Sequence, residues 1–391
     1  MIRLIGGAFY KEAQTRKKLA KFVQHTKRFS FDTECKTFEL AFAKWQGRKD
    51  AIFVNSGSSA NLALIQALLN LGRLKKGDKV AFSAVTWSTN VMPLIKLGLI
   101  PIPMDVEQET LNTSSKEVER VIKKEKVKAV FITNLLGFSH DLREIKKLCK
   151  KHNVLLLEDN CESLGSVERG TKLGNFGLAS TFSFYVGHHM STIEGGMIAT
   201  NDPELSDALR VVRAHGWDRH LSPKSQKRLR KTHGVESFYG LYAFYDLGYN
   251  FRPHEINGYL GNLQLPYANE MVSRREQIFK TLAKVLEANP DRYQPLRYDH
   301  MTVCSAFALP IVCASLEIKQ EVLKRAEGKA ESRPIVGGNM VRQPFFKKYH
   351  ADHKRHALPV ADRIHTHGLY LPIHPEMTRR DVQTIISILQ P

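Results

Sequence analysis

The feature that most constrains the fold is an alternation of two residue patterns in the first half of the chain. Short apolar runs rich in β-branched residues alternate with longer stretches whose apolar residues recur at helical spacing. This alternation is typical of strands joined by crossover helices, and it predicts an α/β fold with a mainly parallel, doubly wound sheet. The predicted strands lie at residues 51–54, 78–82, 100–105, 128–133 and 154–159. Because such sheets bind ligands at the carboxyl ends of their strands, we expect functional residues in the loops that follow them.

The pattern changes after about residue 200. A predicted helix at residues 203–215 is followed by a loop-like, positively charged segment at 221–231 and by helical patterns at 255–286. From residue 289 short strands and helices alternate. We therefore predict a large α/β domain over residues 1–265, with an N-terminal helical segment, and a smaller C-terminal α+β domain over residues 266–391.

The net charge of the chain leaves several classes of function open. The 391 residues include 58 Lys and Arg against 39 Asp and Glu, a formal charge of +19. This excess fits a nucleic-acid binder, a membrane-surface protein, an enzyme for a polyanionic small substrate, or a generally basic proteome. The chain contains no helix-turn-helix or zinc-finger pattern, and no apolar run approaches the length of a membrane span. We therefore expect neither nucleic acid nor membrane as a partner.

Cysteine usage indicates the compartment. The five cysteines are scattered and form no C-x-x-C pair. This arrangement is typical of a reduced, cytoplasmic protein, and it predicts neither a disulfide framework nor a metal site. The N-terminus also lacks the long apolar region of a signal peptide.

Two of the predicted strand ends carry polar residues suited to binding. The Gly57-Ser58 turn opens a helix, and the free N–H groups and hydroxyl of such a turn can hold a phosphate. The alternative is that the Gly57-Ser58 segment is an ordinary turn that only caps the helix. Asp159 and Glu162 follow the apolar run at 154–157, where a carboxylate can lie beneath a ligand or simply cap a helix.

A third segment joins an aromatic strand to two adjacent histidines. Ser183 lies in the strand, and His188 and His189 precede a Glu-Gly-Gly turn. Adjacent histidines do not share a helix face, which disfavours a two-histidine metal site. One histidine can act as a base, and for His189 we expect a packing or surface role.

The order of these segments resembles that of the fold-type I pyridoxal-phosphate enzymes, and among them the sugar aminotransferases of the DegT/StrS type. The resemblance covers the chain from about residue 30 to its C-terminus. It implies that an aromatic ring stacks on the cofactor and that an aspartate pairs with the pyridinium nitrogen, which keeps the ring an electron acceptor. The residues that match the cofactor-binding positions are Gly57, Ser58, Trp87, Asp159, Glu162 and Ser183.

One position departs from the family pattern. The family has a lysine five residues after the serine that matches Ser183, and this lysine binds the cofactor covalently. Here the position is His188, and no lysine occurs between Lys172 and Lys224. Since imidazole cannot form a Schiff base, the cofactor is expected to be held non-covalently.

A subgroup of the family, the 4-keto-6-deoxyhexose 3-dehydratases, carries histidine at this position. Longer segments fit the subgroup, among them Arg213-Ala-His-Gly-Trp217 and the run at 333–339. The resemblance implies removal of the C3 hydroxyl of a nucleotide-linked 4-keto-6-deoxyhexose by pyridoxamine phosphate, with His188 as the base and Asp159 anchoring the ring. It also implies that L-glutamate regenerates the amine form of the cofactor. The resemblance further implies the colitose pathway, with GDP-4-keto-6-deoxymannose as the substrate. The alternative is that the protein is a 4-keto sugar aminotransferase.

The resemblance also implies which residues contact the substrate and that a second subunit contributes to the site. His215, Arg219 and Arg333 are candidate contacts for the sugar nucleotide, because an arginine fork suits a diphosphate. Asn250 matches a residue that family members contribute to the cofactor phosphate of the neighbouring subunit, which implies a homodimer with shared active sites. The related iron–sulfur dehydratases have four clustered cysteines, which this chain lacks, so we expect no iron–sulfur centre.

Overall fold

The computed structural model describes residues 1–350 and 356–390. The α-helices are α1 Glu12–His25, α2 Thr33–Gln46, α3 Gly57–Asn70, α4 Met92–Lys96, α5 Ser115–Glu125, α6 Leu142–Lys151, α7 Pro203–Arg213, α8 Pro223–Thr232, α9 Glu255–Gln264, α10 Ala268–Glu287, α11 Leu316–Ala326, α12 Pro344–Tyr349, α13 Pro359–His367 and α14 Arg379–Leu389. The strands are β1 Asp50–Val54, β2 Lys79–Ser83, β3 Ile100–Met104, β4 Ala129–Thr133, β5 Leu155–Asp159, β6 Val167–Glu168, β7 Thr171–Lys172, β8 Ala179–Ser183, β9 Gly196–Thr200, β10 Met301–Val303, β11 Ala308–Val312 and β12 Gly368–Pro372.

A seven-stranded sheet forms the centre of the molecule, in the order β1-β9-β8-β5-β4-β2-β3. Strands β3, β2, β4, β5 and β8 run parallel, whereas β9 is antiparallel to both of its neighbours. The strands are mostly buried because helices cover both faces, and β4 is buried at every residue. The prediction of a mainly parallel, doubly wound sheet is confirmed.

Strand register brings the predicted functional loops to one edge of this sheet. Thr133 lies opposite Asp159, and Asp159 lies opposite Thr181 in the next strand. The loops after β1, β2, β4, β5 and β8 therefore leave the sheet side by side. Helix α3 starts at this edge, where the Ser56 hydroxyl accepts a hydrogen bond from the Ser59 N–H at 3.0 Å. A cap of this kind stabilises a helix by about 1 kcal/mol.

The C-terminal region packs around the long helix α10. Strands β11 and β12 pair in antiparallel fashion, and α10 contacts both β11 and α14. The chain enters α10 from α9 through a single turn at Leu265–Tyr267. A domain boundary at this turn, between residues 1–265 and 266–391, stays a prediction.

The segment at 221–231 is not a loop, so that prediction is wrong. It forms most of α8, which starts with Pro223 after a Ser222 side chain that accepts a hydrogen bond from the Ser225 N–H. Arg230 of α8 pairs with the buried carboxylate of Asp218 at 2.6 Å. The polar helix lacks an apolar stripe, so its cap and this ion pair stabilise it instead. Across the described parts of the chain, no helix has both the length and the apolar character needed to cross a membrane.

Candidate active site

The first part of the site is a cradle between the start of α3 and the end of β8. A Cβ atom added to Gly57 would lie 2.7 Å from the Ser183 Cβ and 3.1 Å from the Cys161 Sγ, so only glycine allows this approach. The first turn of a helix presents N–H groups that have no partner within the helix. Together with the Ser183 hydroxyl and the exposed Ser58, these groups form a site suited to a phosphate.

Asp159 lies beside this cradle at the end of β5 and is 4% exposed. Its Oδ2 accepts hydrogen bonds from the side-chain amides of Asn61 and Asn90, both at 2.8 Å. Its Oδ1 accepts one from the Cys161 N–H, also at 2.8 Å. The Thr181 hydroxyl in turn donates to the Asn61 carbonyl oxygen at 2.6 Å. This network holds the carboxylate in one orientation.

Asn61 and Asn90 are functional residues that the sequence analysis missed. Asn61 lies one helical turn after Gly57, and this spacing places both residues on the same face of α3. That spacing is a signal from which its role could have been predicted. Asn90 follows Trp87 in a short 3₁₀ turn, and its contact with Asp159 depends on the order of the strands.

His188 is half-buried, with its Nδ1 atom 2.5 Å from the Cys161 carbonyl oxygen. A carbonyl only accepts, so Nδ1 carries the hydrogen and the neutral ring has its free lone pair on Nε2. Burial lowers the pKa of His188, and the charge of Arg275 lowers it further, against the opposing effects of the Cys161 carbonyl and Asp159. The result is a neutral imidazole poised to accept a proton at Nε2.

His189 is fixed in the interior, in line with the packing role expected for it. It is buried, and its Nε2 donates to the Ser305 carbonyl oxygen at 2.8 Å. Burial holds its pKa well below the ordinary value, and Arg275 adds to this effect. The two adjacent histidines therefore differ in their surroundings, and only His188 has contacts with the loop that follows Asp159.

Glu162 lies in the same loop and has an unusual pKa. Burial raises the pKa of its carboxyl to about 8, the Leu136 N–H opposes this shift by donating to Oε2 at 3.1 Å, and the charge of Asp159 adds to it. Tyr370 lies close enough for the charge of Glu162 to raise the tyrosine pKa, although burial is the larger cause. Near neutral pH the Glu162 carboxyl therefore carries a proton and can donate a hydrogen bond.

Two further predicted residues lie at the rim. Trp87 is 55% exposed and lies four residues after the end of β2, so its indole is accessible at this edge of the sheet. Arg333 is exposed, and its main chain pairs with that of Tyr370. The Arg333 charge acts on the Tyr370 hydroxyl, which places this arginine on the Glu162 side of the site.

The remaining predicted residues form a separate group around Trp217. The His215 ring lies 4.8 Å from the indole, and the Arg219 guanidinium lies 4.2 Å from it. Asn250 is exposed and accepts a hydrogen bond from Arg252 at 3.0 Å. The described hydrogen bonds of His215, Arg219 and Asn250 do not reach the cradle or Asp159, so one chain does not bring all the predicted residues together.

The residues at the sheet edge suit a phosphorylated heteroaromatic ring. They supply an anion cradle, a fixed carboxylate, an exposed indole face and a base within one group of loops. A single Cβ atom added at Gly57 would clash with Ser183, which shows how closely the start of α3 approaches the end of β8. The donor set therefore fits a pyridoxal-type cofactor.

Comparison with known proteins agrees with this geometry. The model of the DegT/DnrJ/EryC1/StrS aminotransferase family matches residues 11–390. A GDP-4-keto-6-deoxy-D-mannose 3-dehydratase of Yersinia pseudotuberculosis is 34% identical over 369 residues, which are 93% of this chain and 92% of the relative.

Two crystal structures are similar over nearly the whole chain, and they confirm the fold prediction. One is a GDP-4-keto-6-deoxymannose-3-dehydratase variant with bound GDP-perosamine, with a TM-score of 0.88, 29% identity and coverage of 100% of both chains. The other is a GDP-4-keto-6-deoxymannose-3-dehydratase with a trapped PLP-glutamate geminal diamine, with a TM-score of 0.87, 31% identity and coverage of 96% of this chain and 97% of that chain. The chain belongs to the DegT/DnrJ/EryC1/StrS aminotransferase family.

Proposed function

We propose that this protein is a nucleotide-sugar 3-dehydratase that removes the C3 hydroxyl of a 4-keto-6-deoxyhexose with pyridoxamine phosphate. The observation that carries the proposal is His188, an imidazole with its Nδ1 tied to a carbonyl and its Nε2 free, at the position where the aminotransferases carry lysine. The dehydratase names of the similar proteins support the same reaction and suggest GDP-4-keto-6-deoxymannose as the substrate.

The cofactor contacts follow from the geometry of the sheet edge. The start of α3 at Gly57 and Ser58, with Ser183, would hold the phosphate, Asp159 would face the ring nitrogen, and Trp87 would cover the ring. When bound, pyridoxamine phosphate supplies an amine for the keto carbon of the sugar and a ring that accepts electrons. The imidazole of His188 cannot bind the cofactor covalently, so these contacts must hold it.

His188 and Glu162 move or hold protons in this proposal. His188 Nε2 accepts a proton and, as imidazolium, donates one to the departing C3 hydroxyl. The lowered pKa of His188 suits both tasks, because the ring is neutral beforehand and acidic once charged. Glu162, with a pKa of about 8, retains its proton near neutral pH and can donate a hydrogen bond on the ring side of the cofactor.

The substrates need further cations. Arg333, at the Glu162 side, is proposed to bind the diphosphate of the sugar nucleotide, together with His215 and Arg219. L-Glutamate is proposed as the amine donor, in line with the PLP-glutamate structure of a similar enzyme. A cytoplasmic location, which the cysteine usage predicts, belongs to the same proposal.

A homodimer would explain why His215, Arg219 and Asn250 lie apart from the cradle. The segment around them exposes a dense apolar surface, in which Phe238 is 75%, Tyr242 69% and Leu247 70% exposed. Surfaces of this kind mark interfaces in soluble proteins. We propose that a second copy covers this surface and that Asn250 then completes the phosphate site of the partner.

The test is an incubation of purified protein with pyridoxamine phosphate, L-glutamate and GDP-4-keto-6-deoxymannose. Mass spectrometry of the products separates the two candidate reactions. We expect loss of the C3 oxygen with the keto group retained after hydrolysis. Gain of an amine at C4 would refute dehydration and would favour the aminotransferase alternative. A panel of other nucleotide sugars tests whether the enzyme requires guanosine diphosphate and which sugar configuration it accepts.

A further inference from the structure

The buried arginine of α10, Arg275, is not part of the proposed chemistry, although it lies close to both histidines. It is 3% exposed and forms no ion pair with any described carboxylate. Burial lowers the pKa of its guanidinium to about 9, a sign of how poorly the surroundings solvate the charge. Since an unpaired buried cation costs stability, its position calls for another explanation.

Arg275 binds three main-chain carbonyls through one nitrogen. Its Nη1 donates to the carbonyl oxygens of Ala306 at 3.2 Å, Phe307 at 2.9 Å and Ile373 at 2.6 Å. These carbonyls belong to the two residues before β11 and to the residue after β12. One side chain therefore joins α10 to both strands of the C-terminal pair.

The segment at 305–307 also packs against the two histidines. The Phe307 ring lies 5.2 Å from the His188 ring and 6.0 Å from the His189 ring. The Ser305 carbonyl oxygen accepts the hydrogen bond from His189. On the other side, the Phe307 N–H donates to the Leu136 carbonyl oxygen at 3.0 Å. Arg275 thus fixes the backbone from which the aromatic contact to His188 is made.

We propose that Arg275 is a positioning residue for the His188 base, because it holds the main chain that places the Phe307 ring against the His188 imidazole. The inference rests on the proposed function only for the role of His188 as the base. Arg275, His188 and His189 also line the same pocket.

The charges around His188 come from several elements, and Arg275 is the one that opposes Asp159. The titratable groups facing this region come from several elements: Asp159 on β5, Cys161 and Glu162 in the loop after it, Tyr185 and His189 in the loop after β8, Arg275 on α10, His374 and Glu376 after β12, and Tyr10 before α1. Asp159 raises the pKa of His188 and Arg275 lowers it. Removal of the Arg275 charge should therefore raise the pKa of His188.

The first experiment is an NMR titration of the His188 imidazole in the cofactor-free protein, with the signal assigned by its loss in His188→Asn. In Arg275→Met we expect the His188 pKa to rise, because a positive charge that lowers it is removed. Arg274→Met is the matched control, because the exposed Arg274 is the adjacent residue of α10 and donates only to the Pro375 and Met377 carbonyls. An unchanged His188 pKa in Arg275→Met would overturn the inference.

Kinetics test the positioning role. Arg275→Met should lower kcat roughly tenfold to a hundredfold with little change in KM for the sugar nucleotide. The acidic limb of its pH profile should also move upward. Arg275→Lys should recover most of both effects, since all three bonds come from one nitrogen, Nη1, which shares two N–H groups among them, and an ammonium offers three N–H groups. A lysine variant no better than the methionine variant in both readouts would overturn the inference.

Phe307→Leu keeps the test decisive even if Arg275→Met does not fold. It removes the ring from the imidazole and leaves the guanidinium in place, so kcat should fall. Wild-type kcat in this variant would refute the positioning role. If the wild-type protein forms no dehydration product, the proposed function fails, whereas the NMR comparison still decides on Arg275.

Discussion

Asn61 offers a direct test of the network around Asp159. The side chain is 1% exposed, its amide donates to Asp159 Oδ2 at 2.8 Å, and its carbonyl oxygen accepts from Thr181 at 2.6 Å. Asn61→Ala removes a hydrogen bond to a charged group, worth about 1.5–3 kcal/mol. It also leaves the Thr181 hydroxyl buried without its partner, which costs about 1–3 kcal/mol. We expect a loss of about 3–5 kcal/mol in the free energy of unfolding.

The effect on cofactor binding is smaller but more specific. Asp159 retains the Asn90 amide and the Cys161 N–H, so the carboxylate stays in place with less restraint. The loss in the binding free energy of the cofactor can be at most the free energy of the lost hydrogen bond. Since about 1.4 kcal/mol corresponds to a factor of ten, pyridoxamine phosphate should bind roughly tenfold to a hundredfold more weakly.

Gln66→Ala is the matched control on the same helix. Gln66 is also buried, donates to Asn70 at 2.7 Å and accepts from the Tyr249 hydroxyl at 2.9 Å, but it has no contact with Asp159. Its substitution should lower stability and leave cofactor affinity unchanged. Urea unfolding followed by circular dichroism gives the stabilities, and calorimetric titration with pyridoxamine phosphate gives the affinities. Equal affinity losses in the two variants, or none in Asn61→Ala, would refute the reasoning.

Three further outcomes are expected. His188→Lys should bind pyridoxal phosphate, the aldehyde form of the cofactor, covalently, seen as a mass increase after borohydride reduction; an adduct on the wild-type protein would contradict the assignment of His188. Glu162, whose pKa rises from 4.5 to about 8 on folding, stabilises the fold fully below the lower value, and this stabilisation is lost as pH rises through the higher one. Glu162→Gln should therefore flatten the fall in stability across this window in urea unfolding, and an undiminished fall would show that another group titrates there. Tyr242→Glu should shift sedimentation towards the monomer, whereas Tyr349→Glu, also at an exposed aromatic residue, should not; a dimer unaffected by the first change would place the interface elsewhere.

The central fold was predictable because its signals are local. Buried parallel strands are mostly apolar, and the helices between them show their own period, as in β4 and the amphipathic α5. The helix α8 was missed for the converse reason. It buries no residue, and what stabilises it is the Ser222 cap and the contact of Arg230 with Asp218. Such a contact cannot be read from periodicity.

The candidate site also has a part that local sequence signals predict and a part that depends on tertiary contacts. Gly57, Asp159, Ser183 and His188 could be identified as candidates because each lies at the end of a predicted strand or a few residues after it. The register of β5 and β8 places two of these strand ends together. The absence of lysine at position 188 is a fact of the sequence, and it excludes a covalent link to the cofactor there.

Only the tertiary structure decided how those side chains are held. The orientation of Asp159 comes from Asn61 and Asn90, and the tautomer of His188 comes from the Cys161 carbonyl. The environment of the base depends on Arg275, far along the chain on α10. The sequence by itself determined the strand-helix alternation and the chemical groups at the sheet edge, because these depend on neighbours along the chain. Hydrogen bonds and charges between distant segments depend on strand order and packing, and these exist only in the folded molecule.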